Sequence, residues 1–103
     1  MLVIHGKADP LLSVDLTISA VNATVSLFPA SEIDFHLLPN TSHVPALTGS
    51  QRIWMDWIAE RFKGESVKAY SETITADLAR PPSAYSPELN WYIGLATESY
   101  ETP

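Results

Sequence analysis

Two residues of this chain are of types that move protons, and each follows a stretch that reads as a β-strand. Asp9 comes after the apolar run Met1 to His5, across a turn that contains Gly6. His43 comes after the alternating run Glu32 to Leu38, across a segment rich in turn residues, Pro39, Asn40 and Ser42. In an open parallel sheet functional groups gather beyond the carboxyl ends of the strands, so an acid and a histidine after successive strands share one rim. A carboxylate that accepts from one imidazole nitrogen fixes the tautomer and stabilises the imidazolium. The other nitrogen is then free to take a proton from a hydroxyl nucleophile. The nucleophile that such a pair would serve does not stand out anywhere in the 103 residues.

The elements that must position the pair follow from periodicity. Met1 to His5 is a continuous apolar run ended by Gly6, as expected of a strand covered on both faces. Val14, Ile18, Val21, Val25 and Phe28 recur at steps of three and four and predict a helical face, with Ser13 as cap, Asp15 in the first turn and Pro29 as stop. Glu32 to Leu38 alternates, with Ile33, Phe35 and Leu37 on one side and Asp34, His36 and Leu38 on the other. The polar pair on the second side places this strand near a sheet edge.

Pro39 to Leu47 reads as a loop. Thr48 and Gln51 are spaced as a capping box, and Ile53, Trp54, Trp57, Ile58 and Phe62 form a wide apolar stripe that ends at Gly64. Trp54, Trp57 and Phe62 are expected in the core. Strand, helix, strand, helix predicts an α/β fold with parallel strands.

Beyond Gly64 the pattern weakens, and residues 65–103 read as a tail. Val67, Tyr70, Ile74 and Leu78 fit a helical face, while Thr73 and Thr75 fit an extended one nearly as well. Arg80 to Ser86, with Pro81 and Pro82, reads as a linker. Ser86, Pro87 and Glu88 are a helix start, and Leu89, Tyr92, Ile93, Ala96 and Tyr100 follow helical spacing, so a terminal amphipathic helix is expected. Trp91, Tyr92 and Tyr100 are open to core, flap or docking roles.

The segments LVIHGKADPLLSV, FHLLPNTSHVPAL and IWMDWIAERFKG resemble the acid loop, histidine loop and last helix of the α/β-hydrolase superfamily. The resemblance covers residues 1–64, which it makes the carboxyl-terminal part of a hydrolase domain. It implies Asp9 as the triad acid and His43 as the base, with the serine upstream. Secreted fungal-type lipases and esterases are the nearer likeness, and the tail is similar in placement to their carboxyl-terminal flap. Prolyl-oligopeptidase-type peptidases come next.

The resemblance implies an ester or lipid-like substrate in a full-length parent, dependence on the missing amino-terminal part, and no cofactor. Leu11, Leu12, Val44 and Leu47 flank the pair and either line an acyl pocket or pack. Two sequons, Asn22-Ala23-Thr24 and Asn40-Thr41-Ser42, fit a secreted parent, although a glycan on Asn40 would crowd His43.

Three further features bound the reading. A net charge of −6, with acids dispersed along the chain, argues against nucleic acid or an anionic membrane as partner. The opening run is too short for a signal peptide, and no stretch is long enough to span a bilayer. A chain that opens inside a strand, Leu2, Val3, Ile4, suggests the carboxyl-terminal part of something longer.

A metal site from Asp34, His36 and His43 is the competing chemistry, and no ligand-spacing motif supports it, so no metal is expected. His5, before Gly6, reads as structural, and His36 as a polar residue on the strand's exposed side. The rival from another class is an interaction module that folds only against a partner, since two strands bury little and leave edges open.

Overall fold

Parallel strands need a crossover between them, and the first helix supplies it. The computed structural model describes residues 1–74 together with Tyr85, Ser86, Glu88, Trp91 and Tyr92. Strand β1 (Leu2–Gly6) leads through α1 (Val14–Leu27) to β2 (Asp34–Leu38), and the two strands pair in parallel with Leu2 beside Asp34 and Gly6 beside Leu38. Two helices follow, α2 (His43–Gly49) and α3 (Gln51–Phe62), and then a third parallel strand, β3 (Ser71–Ile74), on the other side of β2. The α/β class and the parallel pairing are as the sequence predicts. The sheet order is β1-β2-β3, so β2 is central and not near an edge.

The core forms between α1 and one face of the sheet. Ile33 and, from β2, Phe35 and Leu37 meet Val21 of α1, with Val3, Val14, Ile18, Val25 and Tyr70 packed around them. Phe35 is fully buried, and removing such a ring costs about 3–5 kcal/mol. Ser13 caps α1 by accepting from the Leu16 N–H. Phe28 does not share the helical face: it is the C-cap and is exposed, because the helix has already ended.

The other face is covered by the short α2. His43 opens this helix, so the segment read as a loop is helical from its histidine onward. Pro45 misleads there, since proline is tolerated in a first turn, where its missing N–H has no helical partner to lose. The expected Thr48–Gln51 capping box does not form. Ser50 is the N-cap of α3 without a side-chain cap bond, and its hydroxyl donates back to the Ala46 carbonyl, bonding the junction of the two helices.

α3 closes with Gly64 at positive φ, and the Gly64 and Glu65 N–H groups donate to Arg61 and Glu60. This is the glycine stop that the sequence announces. The apolar stripe of α3 is not core, however. Trp54 and Trp57 are only half-buried, and Phe62 is 89% exposed.

The ambiguous segment after Gly64 resolves as extended over Ser71–Ile74, where Ser71, Glu72 and Thr73 sit beside Asp34, Phe35 and His36. The predicted terminal helix fails where its start is described. Tyr85–Ser86 (β4) and Trp91–Tyr92 (β5) form an antiparallel pair with Glu88 in the turn. Tyrosine and tryptophan suit strands as well as helices, which is why helical spacing alone misread them. Pro81, Pro82, Leu89, Ile93, Ala96 and Tyr100 lie outside the described residues.

Candidate active site

The rim of the sheet brings the two chemistry-bearing residues together. Gly6 ends β1 and Leu38 ends β2 in register, and Asp9 and His43 follow within a few residues. The two connecting loops are stitched backbone to backbone: Lys7 N–H donates to the Leu38 carbonyl at 2.9 Å and Ala8 N–H to that of Thr41 at 2.9 Å. Asp9 N–H turns back to the Gly6 carbonyl at 3.2 Å. Asn40 takes a positive φ of 50° in the histidine loop, a conformation that asparagine tolerates better than most residues.

Both carboxylate oxygens of Asp9 are used. Oδ1 accepts from the Leu11 N–H at 2.8 Å and the Leu12 N–H at 3.0 Å. Oδ2 stands 2.8 Å from His43 Nδ1. An ionised carboxylate only accepts, so the contact assigns the proton to Nδ1 and leaves the lone pair on Nε2. The Asp9 side chain is 4% exposed and that of His43 39%. The acid is sealed and the base is reachable.

Burial of the Asp9 carboxyl pushes its pKa up. The hydrogen bonds from Leu12, His43 and Leu11 together outweigh that burial, and the net result is a pKa lowered from 3.8 to about 2. Asp9 is therefore a carboxylate at any pH where His43 could act as a base.

His5 is the residue whose place at the site local sequence understated. Its ring is buried, with Nε2 3.2 Å from the Leu12 carbonyl and 3.4 Å from Asp9 Oδ2. The signal was its i, i+4 relation to Asp9 across the Gly6 turn.

Of the four flanking apolar residues, Leu47 joins His43 in lining a groove of about 330 Å³, together with Leu2, Ile4, Ala46, Ser50 and Trp54. Leu11, Leu12 and Val44 do not line it. Leu11 and Leu12 are exposed at the acid loop, where the Leu11 and Leu12 backbones and not their side chains serve Asp9. Among the described residues that line the groove, the one hydroxyl belongs to Ser50, which is 1% exposed and donates to the Ala46 carbonyl. It is not presented to His43.

Asp34 and His36 lie 3.1 Å apart on β2, with the Ser71 hydroxyl donating to Asp34. His43 is engaged by Asp9 at the far rim, so the three do not converge on a metal, and no group of three potential ligands exists among the described residues. No described helix is long and apolar enough to cross a membrane. No family model matches the chain, and no curated protein or solved structure shows significant similarity to it.

Proposed function

We propose that this chain is the carboxyl-terminal part of a serine hydrolase of α/β-hydrolase type acting on carboxylic esters, with Asp9 as orienting acid and His43 as general base and acid. The observation that carries the reading is the 2.8 Å contact between Asp9 Oδ2 and His43 Nδ1 at the carboxyl rim of a parallel sheet. Among the described residues no hydroxyl is bonded to His43 Nε2; in this reading the serine and the oxyanion hole belong to a longer parent.

In that setting Nε2 takes the serine proton as the hydroxyl attacks the ester carbonyl. Asp9 stabilises the imidazolium that results, without itself taking the proton. His43 then returns the proton to the leaving alkoxide and activates the water that releases the acid. The groove beside His43, walled by Leu2, Ile4 and Leu47, suits an apolar acyl or alcohol group. A secreted lipase or esterase is the parent that fits this reading best.

The test compares the 103-residue chain with the longer polypeptide of the same reading frame. The chain alone should leave a short-chain nitrophenyl ester untouched, while the longer protein hydrolyses it and is labelled at serine by a fluorophosphonate. Asp9→Asn or His43→Ala in the longer protein should each cost roughly 10⁴-fold in kcat. Losses below about tenfold at both positions would sink the assignment.

A second reading, a non-catalytic module that folds against a partner chain, is favoured by the large apolar side chains left at the surface, Leu16, Leu27 and Phe62 above all. A longer protein that folds, carries the Asp9–His43 contact and still fails to take the fluorophosphonate would select it.

A further inference from the structure

We propose that His5 is a positioning residue for the Asp9–His43 pair: its buried imidazole N–H holds the Leu12 carbonyl, and so the loop whose N–H groups fix the carboxylate that orients His43. The inference rests on the hydrolase reading only for its catalytic meaning, since the geometry concerns the pair alone.

A carbonyl oxygen accepts and never donates, so the 3.2 Å approach of His5 Nε2 to the Leu12 oxygen puts the proton on Nε2. The same nitrogen lies 3.4 Å from Asp9 Oδ2, the oxygen that His43 Nδ1 meets at 2.8 Å. Leu12 is thus held at its carbonyl by His5, while its own N–H and that of Leu11 hold Asp9 Oδ1. His5 fixes the loop, the loop fixes one carboxylate oxygen, and the other oxygen is left aimed at His43.

The ring has a defined origin in the fold. His5 shares a sheet face with Val3, its register partner is Leu37, and it is 7% exposed. A buried imidazole without its partner would leave a polar group unsatisfied, so placement and bonding support each other. Valine or leucine would suit the strand better, and neither could reach the Leu12 carbonyl with a donor.

The tautomer of His43 reads the effect directly. With the 103-residue chain held alkaline enough for neutral imidazoles, long-range ¹H–¹⁵N spectra report the share of Nδ1–H against Nε2–H. Wild type should show His43 almost wholly as Nδ1–H, and Asp9→Asn should lower the ratio by tenfold or more, as loss of one charge-assisted hydrogen bond implies. His5→Asn, whose amide nitrogen falls short of the Nε2 position, should lower the ratio by about tenfold. His5→Gln, whose nitrogen reaches that position, should restore it.

A merely structural histidine would change stability without this ordered response, so Asn and Gln variants that both keep the wild-type ratio, or both lose it, overturn the proposal. If Asp9→Asn itself leaves the ratio unchanged, the pair and the hydrolase reading fail together. If only the His5 variants are silent, this inference fails alone.

Discussion

Gly6 and Thr41 meet backbone to backbone at the sheet rim. A methyl group on Gly6 would stand 2.8 Å from the Thr41 carbonyl carbon and 2.9 Å from the Ser42 carbonyl oxygen, and nearer still to the Thr41 oxygen. Those are backbone atoms and cannot rotate away as a side chain can. The approach is what allows the Ala8 N–H to reach the Thr41 carbonyl and lock the acid loop to the histidine loop.

Gly6→Ala should therefore act on stability and site together. Overpacking of this kind costs about 1–3 kcal/mol, and the His43 tautomer should lose its preference for Nδ1–H as the loops part. A urea midpoint and an imidazole ¹⁵N spectrum of the same sample measure both. A wild-type midpoint with an intact Asp9–His43 contact would show that the two loops are held by something other than this approach.

Asp9 makes the stability of the chain depend on pH in a defined window. Its carboxyl is lowered from 3.8 to about 2, so the unfolded state binds the proton more readily than the folded one. The contribution is complete above the unfolded value and is lost as pH falls through the folded value. Urea midpoints should be steady near pH 5 and drop between about pH 4 and about pH 2, and Asp9→Asn should flatten that limb. An unchanged limb in the variant would assign the acid transition to other carboxylates.

What could be read in advance was whatever depends on local period and side-chain type. The run from Leu2 to Ile4, the steps from Val14 to Val25 and the alternation from Ile33 to Leu37 each encode burial on one side of a regular element, and a parallel α/β arrangement follows. Asp9 and His43 were legible because a turn after each strand puts them at one rim. β3 was legible only as one of two readings, extended through Thr73 or helical through Val67, Tyr70 and Ile74, because all four of its residues are exposed and carry no apolar alternation. The helical start at His43 was hidden by Pro45, and His5 looked ordinary because its partners, Leu12 and Asp9, are defined only once the loop closes.

Asn40 separates backbone conformation from side-chain chemistry in the histidine loop. Its φ of 50° lies where a Cβ crowds the following carbonyl, at about 1–2 kcal/mol for ordinary residues. Asn40→Gly should leave the urea midpoint nearly unchanged, whereas Asn40→Val should destabilise the chain by about that amount or more, because branching at Cβ worsens the clash. Equal midpoints for the two variants would mean that the loop is free to leave this conformation. The residue stands three before His43, so the valine variant should also disturb the pairing with Asp9.

Phe62 decides how far the apolar stripe of α3 is used within these residues. A buried phenylalanine replaced by a small residue costs about 3–5 kcal/mol, while a surface substitution is felt within about 0.5 kcal/mol. With Phe62 89% exposed and Met55 and Ile58 at 51% and 42%, Phe62→Ser should fall in the second class for the 103-residue chain. In the longer parent that the proposed function calls for, the same change should cost several-fold more, since there the stripe would have chain to pack against. Equilibrium unfolding of both lengths, with sedimentation to detect self-association through the exposed face, makes the comparison. A loss of about 3 kcal/mol in the short chain would place Phe62 in a core that α3 already completes, and the surface would then need no further cover.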